Sequence, residues 1–330
     1  MPLFAKSSKA KTTLFFATDV HGSERTWRKF VNAGKFYGAD ILVMGGDIIG
    51  KMAIPIIREK DGSYRATLQG RVEHFANDDE LKGLLDRIGT LGFYSKVMGE
   101  DEVRQVQADP QAIDALFHDL ARQRLESWVG LAEERLRGTG IRCYITGGND
   151  DYSDVLAVLP SDGDGALRAC EGEVLPIDER TTMASLGIST PTPWHTPREV
   201  TEDELGRIID ELVARVPDPS HCIFNFHDPP NDSTLDTCPM LDWTTDPPSH
   251  IVKGGQVVLH GAGSKSVRHA VETHQPLLGL HGHIHESPGV IRIGRTVCAN
   301  PGSEYGEGVL RGFLASLGDG KIESYQLTSG

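Results

Sequence analysis

Thr12-Thr13-Leu14-Phe15-Phe16-Ala17-Thr18-Asp19-Val20-His21 is where the fold becomes readable. Residues 12–18 are a short, apolar, β-rich run, and it gives way to a carboxylate and an imidazole two positions apart. Helical spacing follows over residues 24–36, with Trp27, Phe30 and Val31 on one face, and a second β run at 41–44 stops at Gly45-Gly46-Asp47. A β-α-β opening predicts parallel strands joined by a right-handed crossover. The same event then recurs. Residues 142–146 stop at Gly147-Gly148-Asn149-Asp150-Asp151, residues 221–226 at His227, and residues 277–280 at His281-Gly282-His283-Ile284-His285. Open α/β sheets place their ligand sites beyond the carboxyl ends of strands. Five polar stops of this kind therefore point to one shared site.

Between these blocks the rhythm changes. Residues 53–138 are a mainly helical insertion that begins with a hairpin, Ile56-Ile57-Arg58 against Tyr64-Arg65-Ala66-Thr67 around Asp61-Gly62. Ile113, Leu116, Phe117 and Leu120, then Trp128, Leu131 and Leu136, carry a helical period. The insertion reads either as a cap over the site or as a packed extension. Further β runs fall near 173–177 and 183–187, followed by a Pro-rich loop at 190–197. Thr201 caps a helix with Glu204 placed to complete a capping box, and residues 264–274 form another helix. The tail alternates as β over 290–293, 296–299, 311–316 and 322–327, a terminal meander. The expectation is a single α/β domain over 1–330: two mixed sheets face to face with helices outside, a four-layer αββα sandwich.

Composition bounds the chemistry. The chain of 330 residues is 38% hydrophobic and 24% charged, with net charge −14, which disfavours nucleic acid and anionic membrane as partners. No apolar run is long enough to span a bilayer, and residues 1–6 lack the apolar core of a signal peptide. Cys143, Cys170, Cys222, Cys238 and Cys298 form no CxxC pair, which reads as free thiols in a reducing cytoplasm. An anionic substrate stays compatible, because two divalent cations outweigh two carboxylates and a hydroxide and leave the pocket positive.

Oxygen and imidazole donors without thiolate suit Mn, Fe or Zn at a working site more than a structural zinc knot. Alternation in extended chain puts Asp19 with His21, and His283 with His285, on common sides. The ordered set Asp19-Val20-His21, Gly46-Asp47, Gly148-Asn149-Asp150, His227 and Gly282-His283-Ile284-His285 resembles the calcineurin-like metallophosphoesterase family. Asn300-Pro301-Gly302-Ser303 is similar to the turn that follows the final histidines in small bacterial members. The resemblance spans residues 19–303, apart from the insertion. It implies one metal on Asp19, His21, Asp47 and His285, and a second on Asp47, Asn149, His227 and His283, with Asp47 bridging. It also implies hydrolysis of a small phosphodiester or phosphomonoester by a hydroxide between two divalent ions.

Asp150 departs from the family pattern, which has a histidine after the asparagine. Beside cations its carboxyl is expected to fall in pKa and make a poor general acid, so good leaving groups or another proton source are implied. His281 is expected to pack or to support its neighbours. Asp228 reads as an exposed loop acid or an orienting partner for His227. Trp194, His195 and Arg198 lie on the Pro-rich loop, where the arginine could clamp a phosphate. His74, His118, His221, His250, His260, His269 and His274 have no ligand spacing. Two other readings remain: a non-catalytic scaffold on this fold, which ought to lack some of these donors, and a β-lactamase-like hydrolase, which ought to carry an H-x-H-x-D-H cluster. Oligomeric state is not legible.

Overall fold

The computed structural model describes residues 11–162 and 165–330, so the reading of residues 1–6 lies outside the described residues. β1 (Thr12–Ala17), α1 (Glu24–Tyr37) and β2 (Ile41–Met44) open the chain, with β1 and β2 parallel. Helix α1 ends as its sequence asks: Gly38 takes φ 63° and returns its N–H to Gly34. The inserted segment holds β3 (Ala53–Arg58), β4 (Tyr64–Leu68), β5 (Arg71–Phe75), α2 (Asp78–Thr90), β6 (Tyr94–Gly99), α3 (Glu100–Gln107) and α4 (Pro110–Leu136). Then come β7 (Arg142–Ile145), α5 (Ser153–Leu156), β8 (Leu167–Ala169), β9 (Val174–Pro176), β10 (Thr182–Leu186), α6 (Glu202–Val213) and β11 (Cys222–Phe226). A long loop from β12 (Thr237–Pro239) to β17 (Leu259–Gly261) is folded into small two-stranded ladders. The chain finishes with α7 (Lys265–His274), β18 (Leu278–Leu280), β19 (Gly289–Ile293), β20 (Thr296–Asn300), β21 (Arg311–Gly318) and β22 (Lys321–Ser329).

Two six-stranded sheets result, in the orders β22-β21-β1-β2-β7-β8 and β19-β20-β18-β11-β10-β9. The first is antiparallel over β22-β21-β1 and parallel from β1 out to the β8 edge, whereas the second has a parallel centre with antiparallel edges. Period-two alternation sorts their side chains into layers. Leu14, Phe16, Ile41 and Val43 point between the sheets, where they meet Met183, Ile223, Leu278 and Leu280. Phe15, Ala17, Leu42 and Met44 point the other way, into Trp27 and Phe30 of α1 and Trp128 of α4. On the far side Ala184, Phe224 and Phe226 pack under Leu205 and Ile209 of α6 and Val267 and Val271 of α7. Helix, sheet, sheet, helix is the expected αββα sandwich.

Three expectations need correction. The terminal strands do not form one meander: β19 and β20 pair on the second sheet, while β21 and β22 pair on the first. The chain crosses from one sheet to the other after Asn300, because the alternating runs lack anything that marks which sheet they join. The insertion contains a four-stranded sheet, β5-β4-β3-β6, with its own core under α2; only the β3–β4 hairpin was legible beforehand. Finally, the Thr201 hydroxyl caps α6 at the Glu204 N–H, but Glu204 turns to Arg207 instead of closing the box. Its neighbour Glu202 binds the start of α7 through Ser264 and Ser266.

Candidate metal centre

All five strand stops converge at the carboxyl ends of β1, β2, β7, β11 and β18. One donor atom each of Asp19, His21, Asp47 and His285 lies within 4.8 Å of the others, and the same holds for Asp47, His227 and His283. Asp47 is common to both groups. His21 Nε2 is 3.0 Å from His285 Nε2 and 3.6 Å from Asp47 Oδ2. His285 Nε2 is 3.3 Å from Asp19 Oδ1. In the second group His227 Nε2 is 3.4 Å from Asp47 Oδ2, and Asn149 Oδ1 is 2.7 Å from His283 Nδ1. The seven expected residues are therefore together, with the asparagine oxygen on the second group's side.

Backbone conformation, not strand alternation, brings them there. Asp19, His21, Asp47 and His283 all have positive φ, between 38° and 67°, a region costly for residues with a Cβ. The expectation that alternation aligns His283 with His285 fails for this reason: β18 has ended at Leu280, and the histidine segment is a loop. Mutual hydrogen bonds hold the strained turns. Asp19 N–H donates to Gly46 O, His21 N–H to Asp47 O, Gly22 N–H to Ile48 O and Gly282 N–H to His227 O. Glycine is required at 148, where a Cβ would land on the Asp47 carboxylate, and at 46, where one would meet His227 Nδ1 at 2.5 Å. Asn300 clasps the histidine loop through Gly282 O and Ile284 O, and Ser303 donates its hydroxyl to Asp19 O at 2.6 Å.

The electrostatics ask for a cation. Asp19 and Asp47 are almost fully buried. Burial alone would raise the Asp19 carboxyl, yet hydrogen bonding and charge from His285 bring it down to about 2. Burial opposes a charge on His227, yet Asp47 and Asp19 push it up to about 10. Burial takes His21 and His283 the other way, so both are neutral imidazoles. His227 Nδ1 lies 2.9 Å from Gly45 O and donates to it, which leaves Nε2, 3.4 Å from Asp47 Oδ2, as the atom that offers a lone pair to a metal once its proton is displaced. Buried carboxylates facing orphaned imidazole nitrogens are the donor set a divalent metal takes, so the residues fit the ions.

Supporting residues differ from expectation in several places. Arg198 does not face the site: its guanidinium binds Glu171 at 2.5 Å and Gly148 O at 3.2 Å, and its N–H donates to Asn149 O. With Thr196 Oγ1 at 2.9 Å from Asn149 Nδ2, the Pro-rich loop is a brace behind the asparagine. Trp194 and His195 are exposed. Asp228 is buried, not an exposed loop acid, and accepts from Thr190 N–H and hydroxyl. His281 is in neither donor group; it is buried, with Nδ1 on Phe226 O. The fall expected for the Asp150 carboxyl is one caused by bound cations; without them burial and the Asp47 charge push it up while Lys51 pulls it down.

Two residues at the site were missed. Asp151 is fully buried and accepts from the N–H groups of Ile48, Ile49 and Gly148, tying the Asp47 loop to the Asn149 loop. Burial and Asp47 raise its carboxyl to about 7 against those donors. Lys51 Nζ sits 2.8 Å from Asp150 Oδ2. The only sequence signal for either was adjacency to a block. The insertion also reaches the centre's back: Arg124 donates to Gly22 O, Tyr94 accepts from Gly50 N–H, and Ser23 donates to Thr90 O.

The αββα sandwich is a metallophosphoesterase-type fold, and the ordered, two-group donor set resembles that of the calcineurin-like family. No family model matches the chain. An uncharacterised protein of Methanocaldococcus jannaschii, MJ1162, is 30% identical over 160 residues, 46% of this chain and 65% of that protein. The chain therefore spans just under two thirds of the curated relative's length. The crystal structure of TT1561 of Thermus thermophilus aligns over 97% of this chain and 99% of its own at 14% identity, with TM-score 0.50. Another crystal structure aligns over the same shares at 13% identity and TM-score 0.58. At such identities these matches speak for the fold alone.

Proposed function

We propose that this protein hydrolyses small phosphoesters, diesters foremost, using two divalent ions. The observation that carries the reading is Asp47: a single buried carboxylate common to two donor groups, each completed by imidazoles. Bound at such a centre, a pair of divalent ions activates water near neutral pH and offsets the charge that builds on phosphoryl oxygens. Asp19, His21, Asp47 and His285 would hold one ion, and Asp47, Asn149, His227 and His283 the other; donor chemistry favours Mn, Fe or Zn.

The chain's own contribution is placement. Gly45 O fixes the His227 tautomer, and Thr196 orients the Asn149 amide so that its oxygen faces His283. Asp151 locks the two loops from which Asp47 and Asn149 project. Asp150 is paired with Lys51, whose ammonium opposes the rise that burial and Asp47 impose on its carboxyl, and on this reading it is a carboxylate and a poor proton donor to a leaving alcohol. Water cleaves the ester to an alcohol and a lower phosphoester, and good leaving groups such as aryl alcohols are favoured. A scaffold that had given up catalysis ought to lack donors, whereas all seven stand together. Free cysteines and the lack, among the described residues, of a helix long and apolar enough to cross a membrane support a cytoplasmic setting. The net charge of −14 supports small substrates over polynucleotides.

The test is metal analysis of purified protein alongside hydrolysis of a bis-aryl phosphate and an aryl phosphate. Two metals per chain, and activity lost in Asp47→Asn and His283→Gln, are expected. Full activity in both variants would overturn the reading.

A further inference from the structure

The backbone leading out of the Asp47 turn is fixed more tightly than ligand placement alone needs. Ile48 and Ile49 N–H groups are bound by Asp151, and Gly50 N–H by the Tyr94 hydroxyl at 2.8 Å. The next residue is Lys51, whose ammonium lies 2.8 Å from Asp150 Oδ2. Asp150 is itself anchored, with its N–H on Asp47 Oδ1 at 3.0 Å and Oδ2 3.7 Å from His21 Nδ1. The Tyr305 ring closes the group, 4.7 Å from the His21 ring and 6.0 Å from that of His285. Asp150 is 16% exposed and Lys51 49%, so the pair stands at the mouth of the centre, the ammonium outermost.

An unpaired carboxylate in that position would repel any phosphoester approaching the ions. The ammonium offsets it, and only one of its three N–H donors is directed at Asp150. With the Lys51 side chain 49% exposed, the other two are left for a group that approaches the ions from solvent. We propose that Lys51, held in place by Asp150, donates hydrogen bonds to a non-bridging phosphoryl oxygen of the bound substrate. This rests on the phosphoesterase reading. It makes Lys51 a substrate-contacting residue and Asp150 a positioning residue, and nothing in the family pattern assigns the lysine.

The experiment measures inorganic phosphate binding by calorimetry and steady-state kinetics on an aryl phosphodiester, both with metal-loaded protein whose metal content is verified. Lys51→Met is expected to keep its metals and to lose about 10- to 100-fold in phosphate affinity and kcat/KM, the range of a charge-assisted hydrogen bond. Lys51→Gln, with its polar stem, should lose a similar amount and guards against misfolding in the methionine variant; Lys51→Arg should retain part. Asp150→Asn combined with Lys51→Met should recover affinity relative to Lys51→Met alone, because the stranded anion is gone. A merely structural role for Asp150 would make the double variant worse. Phosphate binding and kinetics in Lys51→Met and Lys51→Gln equal to wild type would overturn the proposal while leaving the phosphoesterase reading intact. Wild-type protein that binds two metals and hydrolyses nothing would instead sink that reading.

Discussion

Asp47 and Gly148 show how little tolerance the centre has at single positions. The Asp47 carboxylate occupies the space a side chain at 148 would need. Gly148→Ala is expected to displace that carboxylate and to lower metal content below two per chain, read by elemental analysis; retention of both metals would refute the close approach. The donors were legible because each follows an apolar run, a signal that survives in one dimension. Lys51 and Asp151 were not, since what matters for them is a turn geometry that the residue names do not encode. Asp150 was legible as a departure from the family but not as half of an ion pair. Its partner lies on another loop, brought near by Asp151.

At the scale of elements, helices and buried strands follow their patterns closely, because apolar spacing is what packs them. The insertion follows less well. Strands β5 and β6 were missed: β5 is largely exposed and carries no clean alternation, and β6 pairs in parallel with β3 from beyond α2. Helix α4 is the joint between insertion and sandwich. Trp128 stacks on Trp27 of α1 with ring centroids 4.7 Å apart and planes within 4°, and both rings are fully buried. Trp128→Ala should cost about 3–5 kcal/mol in a denaturant titration, the usual range for a large buried ring. A loss under about 1 kcal/mol would mean that the insertion contributes little to the sandwich. Because Arg124 of the same helix holds Gly22 O, the variant should also weaken metal retention.

For the molecule as a whole, charge and pH join the site to stability. In metal-stripped protein His227 is raised to about 10, so its contribution is present below about pH 6.5 and is lost as pH climbs through about 10. Asp19, lowered to about 2, contributes above its ordinary value and loses that only as pH falls towards 2. Bound ions need the histidine without its proton, so loading competes with protons. Adding metal should therefore raise Tm more at about pH 8.5 than at about pH 6, measured on stripped and reloaded samples. An equal rise at both would argue against the His227 linkage.

The separation of the ligands along the chain has a further consequence, for when the centre can exist at all. His21 and His285 meet at 3.0 Å across 264 positions of sequence, and each donor group needs a residue of the loop that carries His283 and His285. During synthesis, then, neither group can be complete until nearly the whole sandwich has emerged and both sheets have docked. A partly made chain offers isolated carboxylates and imidazoles that hold an ion weakly. On the proposed reading, metal choice would in effect be deferred to the finished fold, which would select among ions with all its donors already in place.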